Sequence, residues 1–190
     1  MYLIFDTETT GAPRDYKAPL SDYNNWPRMV QVAWICYDDA GVELSRHNRV
    51  IFPEGYTIPA NVAAIHGITT EIARRDGLDL EVVLHEFNAC LEQAKVLVAH
   101  NITFDEKIIG VEFLRKGIAN RVFDVAQVCT MKAATNYCKL PGKYGFKWPN
   151  LRELHQHLFG VGFDNAHDAS ADVAATANCF FELKRLGVIT

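Results

Sequence analysis

The sequence predicts an α/β protein built on a mixed sheet, with antiparallel strands first, parallel strands after them, and helices on its faces. Three observations lead there. Two β-type segments, "MVQVAWICY" and "ELSRHNRVIF", flank "DDAG", an Asp/Gly turn of the hairpin kind. Further along, buried strands run directly into helical segments, the arrangement of parallel α/β units. The chain has 190 residues, 49% hydrophobic and 22% charged, which suits one globular domain with a substantial core, so residues 1–190 are expected to form a single domain.

Tyr2 to Phe5 is apolar and bounded by "TTG", a short strand buried on both faces. A polar, proline-containing insert from Ala12 to Arg28 follows as a loop, and the two hairpin segments then complete an antiparallel meander with the first strand. Between Asp79 and Leu91, the residues Leu80, Val83, Leu84, Phe87 and Leu91 recur at intervals of three and four, one buried helical face. "KVLVAH" is a second buried strand, and "TFDEKIIGVEFLRK" a helix whose Thr103 and Glu106 match the S/T-x-x-E capping box. "RVFDVAQV" is a short strand entering a helix. A turn-rich segment leads to "NLRELHQHLFG", and the last helix is "ASADVAATANCFFELKRLG", each ended by glycine.

Net charge is −4, so any nucleic-acid contact must come from a local patch rather than bulk charge. Five cysteines without C-x-x-C pairs read as free thiols in a reducing compartment. Without a leader pattern or a membrane-length apolar run, a cytoplasmic protein with no membrane partner is expected.

Acids interrupt this pattern. Asp6 and Glu8, two apart on a strand, project to one face. Their joint ionisation calls for a counter-charge that the strand does not supply, and a divalent cation provides one. Alternatively Thr7 to Gly11 is already loop and both acids are solvated. Asp105 falls in the first turn of a helix after a buried strand, where α/β sites form, although helix-dipole stabilisation alone would also put an acid there. In "NAHDASADVAATA", Asp168 suits an N-cap, with His167 just outside the helix and Asp172 one turn inside. Ala169, Ser170 and Ala171 are small enough to let that helix approach a strand. Four carboxylates form a hard oxygen set for Mg2+ or Mn2+, and two such ions about 3.5 to 4 Å apart serve in-line displacement at phosphorus. His167, with an ordinary pKa of about 6.5, could accept a proton from water near neutral pH.

"DTETTG", "HNITFD" and "HDASAD", in that order, resemble the DEDDh branch of 3'-5' exonucleases, the DnaQ-like group that includes polymerase proofreading subunits and ribonuclease T. The likeness runs from Met1 to about Phe181. It implies a ribonuclease H-like fold, two divalent cations, and stepwise release of nucleoside 5'-monophosphates from the 3' end of single-stranded DNA or RNA, with DNA favoured. By the same resemblance Asp6, Glu8, Asp105 and Asp172 would be metal ligands and His167 the general base. Thr9, Ile65, His66, Asn101 and Phe104 would lie near the terminal nucleotide, while plain core packing is the alternative for Ile65 and Phe104. Relatives include polymerase-associated and dimeric proteins, so a DNA polymerase and a second copy of the chain are candidate partners.

Two segments have no counterpart in these motifs: the 12–28 insert and the 139–149 segment. In the latter, Lys139, Lys143 and Lys147 alternate with Tyr144, Phe146 and Trp148, a pattern that suits a single strand or a solvated loop anchored by its aromatics. A haloacid dehalogenase-like phosphatase would begin D-x-D, yet the second acid is Glu8, and Asp105 and His167 would stand idle. No G-x-G-x-x-G follows the first strand, against a dinucleotide binder. A catalytically silent nucleic-acid- or polymerase-binding module of the same fold would be free to lose acids, yet all five positions are filled.

Overall fold

A computed structural model describes residues 1–163 and 168–190. Five strands form the main sheet: β1 (Tyr2–Thr9), β2 (Met29–Tyr37), β3 (Glu43–Val50), β4 (Val96–Ala99) and β5 (Ala126–Cys129), in the order β3-β2-β1-β4-β5. The first three are antiparallel neighbours, and β4 and β5 add in parallel. This is the mixed sheet that the hairpin and strand-helix signals predict. At the hairpin turn, Asp38 accepts from the N–H groups of Ala40 and Val42, and Gly41 supplies the positive φ of 82°.

Helices cover both faces. On one side, α3 (Leu80–Leu91) and α4 (Ile102–Lys116) pack on Leu3, Phe5 and Trp34 through Phe87 and Phe113. On the other side lie α5 (Thr130–Cys138), α6 (Leu151–Phe159) and α7 (Ala169–Arg185), with Phe180 and Val173 against Ile4, Ala33 and Ile35. The alternation of Leu3 and Phe5 with Ile4 therefore sends neighbouring side chains into different layers, as strand geometry requires. Two short helices, α1 (Ala60–His66) and α2 (Thr70–Asp76), form a third cluster with Val30, Ile58 and Ile68. They have no counterpart in the sequence expectations, which name only Ile65 and His66 in this stretch.

The cap of α4 is a correction. The Thr103/Glu106 box does not form, because the helix begins at Ile102 after a left-handed Asn101 with φ 74° and no side-chain cap. Thr103 Oγ1 instead accepts from Lys132 and Glu106 from Gln127. A capping box does close α6, between Asn150 and Glu153. Asp168 caps α7 as expected, accepting from the Ser170 N–H.

The 12–28 insert is an ordered loop whose ends meet. Thr10 N–H donates to the Arg28 carbonyl, and Arg28 N–H to Thr10 Oγ1. Buried Trp26 donates to the Pro19 carbonyl. Beneath it, the wholly buried Glu112 accepts from Arg28 Nε, Met29 N–H and Arg115 Nη1, and Arg115 also donates to the carbonyls of Tyr23 and Trp26. The turn-rich segment after α5 contains a two-strand hairpin, β6 (Pro141–Gly142) and β7 (Gly145–Phe146). Cys36, Cys90, Cys129, Cys138 and Cys179 are free thiols. Among the described residues, no helix is long and apolar enough to cross a membrane.

Candidate active site

The acids of β1 stand where the sheet has a notch. Strand β1 pairs with β2 along its whole length, but its ladder with β4 ends at the Ile4–Val98 pair. Its carboxyl end thus overhangs β4, at the point where the sheet changes from antiparallel to parallel pairing. Open α/β sheets form their sites at such a switch. Beyond Ala99 the left-handed Asn101 turns the chain straight into α4, which brings Asp105 into the notch. The Thr7 N–H, past the last β4 partner, donates to Asp105 Oδ1 at 3.1 Å, and Thr7 Oγ1 donates to the same oxygen at 2.7 Å.

Asp6 and Glu8 face the other layer, where α7 arrives. The buried Ala169 at the start of that helix allows the close approach expected of its small residues, and Asp172 joins the pair from one turn in. One carboxylate oxygen from each of Asp6, Glu8 and Asp172 lies within 4.8 Å of the others. Electrostatics follows from this crowding: burial, then Asp105, Asp172 and Glu8, push the Asp6 carboxyl well above the usual carboxylate range. Burial followed by Asp172 and Asp105 raises Glu8 to about 8. Asp105 itself is pushed up to about 7, chiefly by burial, with the Thr7 hydrogen bonds acting against the rise. An all-oxygen donor set under mutual repulsion fits hard divalent cations such as Mg2+ or Mn2+, which remove the cost of ionising the acids together. Asp6, Glu8 and Asp172 could hold such ions directly, with Asp105 beside them.

A cleft of about 540 Å³ adjoins the acids, with Glu8, Thr9, Ile65, His66, Asn101 and Phe104 on its walls. All five residues predicted near a terminal nucleotide therefore share one cavity. Ile65 is 56% exposed, so core packing does not account for it. Phe104 is half-buried and touches the core while lining the cleft. His66 is buried, its Nδ1 accepting from the Ile68 N–H. His167 lies outside the described residues.

Three supporting residues escape a reading of the sequence. Thr7 hides between the two acids. Gln31 on β2 accepts from the Ala169 N–H and reaches Asp168 and Asn48, fixing the start of α7. His100 bonds Thr130 Oγ1 through Nδ1 and the Pro149 carbonyl through Nε2, both at 3.0 Å. A carbonyl only accepts, so Nε2 carries the proton. The "HN" before "ITFD" is the one local hint of His100; its partners lie 30 and 49 positions away.

The class is given by the family match: residues 3–180, which carry the notch, its acids and the adjoining cleft, match the model of the exonuclease family (RNase_T). The chain belongs to that family, among the DnaQ-like 3'-5' exonucleases. It is 30% identical over 180 residues to the PolC-type DNA polymerase III of Streptococcus suis, covering 95% of this chain and 11% of that protein. Against the DNA polymerase III subunit epsilon of Treponema pallidum, identity is 25% over 182 residues, 94% of this chain and 74% of the relative. The chain thus spans about a tenth of the PolC-type relatives and most of the epsilon subunit. The fold matches E. coli Exonuclease I, solved with a dT13 oligonucleotide, at a TM-score of 0.76 and 21% identity, over 98% of this chain and 42% of that one. The expected ribonuclease H-like architecture is the one found.

Proposed function

We propose that the chain hydrolyses the terminal phosphodiester bond at the 3' end of single-stranded nucleic acid, DNA in preference to RNA, releasing nucleoside 5'-monophosphates. The observation that carries this reading is the convergence of Asp6, Glu8 and Asp172 within 4.8 Å beside a nucleotide-sized cleft. The preference for DNA is supported by relatives named as DNA polymerase III proteins and by a fold neighbour solved with dT13. The same relatives make a DNA polymerase the first partner to test.

Asp6, Glu8, Asp105 and Asp172 would hold two divalent cations, Mg2+ or Mn2+; when bound, these supply charge neutralisation at the scissile phosphate and activation of water. The remaining work falls to the chain. Thr7 fixes the orientation of Asp105, and Gln31 that of the helix start carrying Asp172. His167 takes the proton of the attacking water on a ring nitrogen. Ile65, His66 and Phe104 hold the last nucleoside, with Thr9 and Asn101 offering polar contacts to its sugar, so that only the terminal phosphate reaches the acids.

Incubation with 5'-labelled DNA and RNA oligonucleotides in Mg2+ or in EDTA tests the reading. The expected result is a ladder shortened one nucleotide at a time in Mg2+, faster on DNA, and none in EDTA. Strands left at full length on both polymers in Mg2+ overturn it.

A further inference from the structure

A second cavity, of about 330 Å³, opens beside the first. Its walls are Tyr16, Asn101, Thr103, Phe104, Lys132 and Trp148. Tyr16, Asn101 and Phe104 also line the cleft at the acids, so Phe104 and its neighbours are the common wall. Neither cavity belongs to one element: Tyr16 comes from the 12–28 insert, Trp148 from the 139–149 segment, and Lys132 from α5.

The two outer aromatics are exposed on anchored backbone. Tyr16 is 54% and Trp148 61% exposed. The Tyr16 carbonyl accepts from Lys107 Nζ at 2.7 Å, and the insert carrying it is clamped through Glu112 and Arg115. Trp148 precedes Pro149, whose carbonyl is held by His100, and Asn150, which caps α6. Large rings left in water on fixed backbone are prearranged for a flat ligand, because little further ordering is needed on binding. Lys132 is the one Lys or Arg among the described residues lining either cavity. Its ammonium donates to Thr103 Oγ1 at 3.2 Å and keeps further protons for an anion.

Resting on the exonuclease reading, we propose that this cavity takes the second base from the 3' end, stacked on Trp148 and Tyr16, while Lys132 meets the phosphate that follows it. Phe104 then separates the last base from its neighbour. A base so held has left its partner strand, which makes an unpaired 3' end of at least two nucleotides the preferred substrate. Any base serves, since each has a stacking face.

The test is a binding cycle, with Ca2+ in place of Mg2+, using a 5'-fluorescein single-stranded DNA oligonucleotide that carries either a normal base or an abasic site at the second position. Trp148→Ala is expected to weaken binding of the normal strand about tenfold, and Trp148→Phe to retain most of it. The abasic site should weaken wild-type binding by a similar factor, and wild type and Trp148→Ala should then bind the abasic strand alike. Equal losses by the variant on both strands, or no loss on the normal one, overturn the subsite. A wild type that shortens strands in Mg2+ but shows a flat cycle removes the subsite alone. A wild type that neither binds nor shortens them removes the exonuclease reading with it.

Discussion

Thr7 and Asp105 are joined twice at one oxygen, by the backbone N–H and by Oγ1 of the threonine. The residue between the two strand acids thus holds the acid that comes from the opposite layer. Thr7→Val removes the hydroxyl and keeps the shape. Its expected cost is about tenfold in Mn2+ affinity by calorimetric titration, as for other residues that orient a ligand, with Thr7→Ser close to wild type.

The raised carboxyl of Glu8 makes stability depend on pH and metal. Its folded pKa of about 8 lies above its ordinary 4.5, so the folded state holds a proton that the unfolded state has lost. That contribution is full below the ordinary value and disappears as pH rises through about 8. In EDTA, the melting temperature of Glu8→Gln should therefore gain on wild type from about pH 5 to pH 8. Mg2+ should narrow the gap by stabilising the ionised wild type.

Glu112 is a buried charge with three donors. Glu112→Ala strands Arg28 and Arg115, whose side chains are only 21% and 13% exposed. A loss of about 3 kcal/mol is expected by urea unfolding. The insert above should also become a faster target for proteolysis near Tyr16.

His100 is held neutral, burial pushing it down to about 4. Below its ordinary 6.5 the unfolded chain takes up a proton that the folded one refuses, so stability falls as pH drops from about 6.5 toward 4. His100→Gln should flatten this acid limb in urea titrations. It should also cost about 1 to 3 kcal/mol near neutral pH through the lost bonds to Thr130 and Pro149.

For His167→Ala, single-turnover cleavage should slow by about 10²- to 10⁴-fold while Mn2+ affinity is largely kept. A collapse of affinity would make the histidine a ligand rather than a base.

Much of the scaffold was legible because its signals are local. Period-two placement of Asp6 and Glu8, the three-four spacing of α3 and the Asp168 cap each depend on neighbours along the chain. The short α1 follows Pro59 without a side-chain cap and buries only Ala63 and His66, too little pattern to register. The α4 box does not form because Asn101 adopts a left-handed conformation that the S/T-x-x-E signature does not encode. The aromatics of the 139–149 segment do not anchor it: Tyr144, Phe146 and Trp148 are 90%, 50% and 61% exposed, while Lys147 pairs with Glu153 and Lys143 sits over the Tyr144 ring. Convergence was the harder part. Trp148 and Tyr16 line one cavity although they are 132 positions apart, and no spacing rule spans such a distance.

The overhang of β1 past β4 sets stability and reactivity against each other. Every additional rung that β4 might form with β1 would strengthen the scaffold and fill the gap into which Asp105 reaches. The protein keeps a shorter parallel half and spends the vacated edge on a carboxylate, so a variant selected only for heat resistance would tend to close the very opening that the chemistry needs.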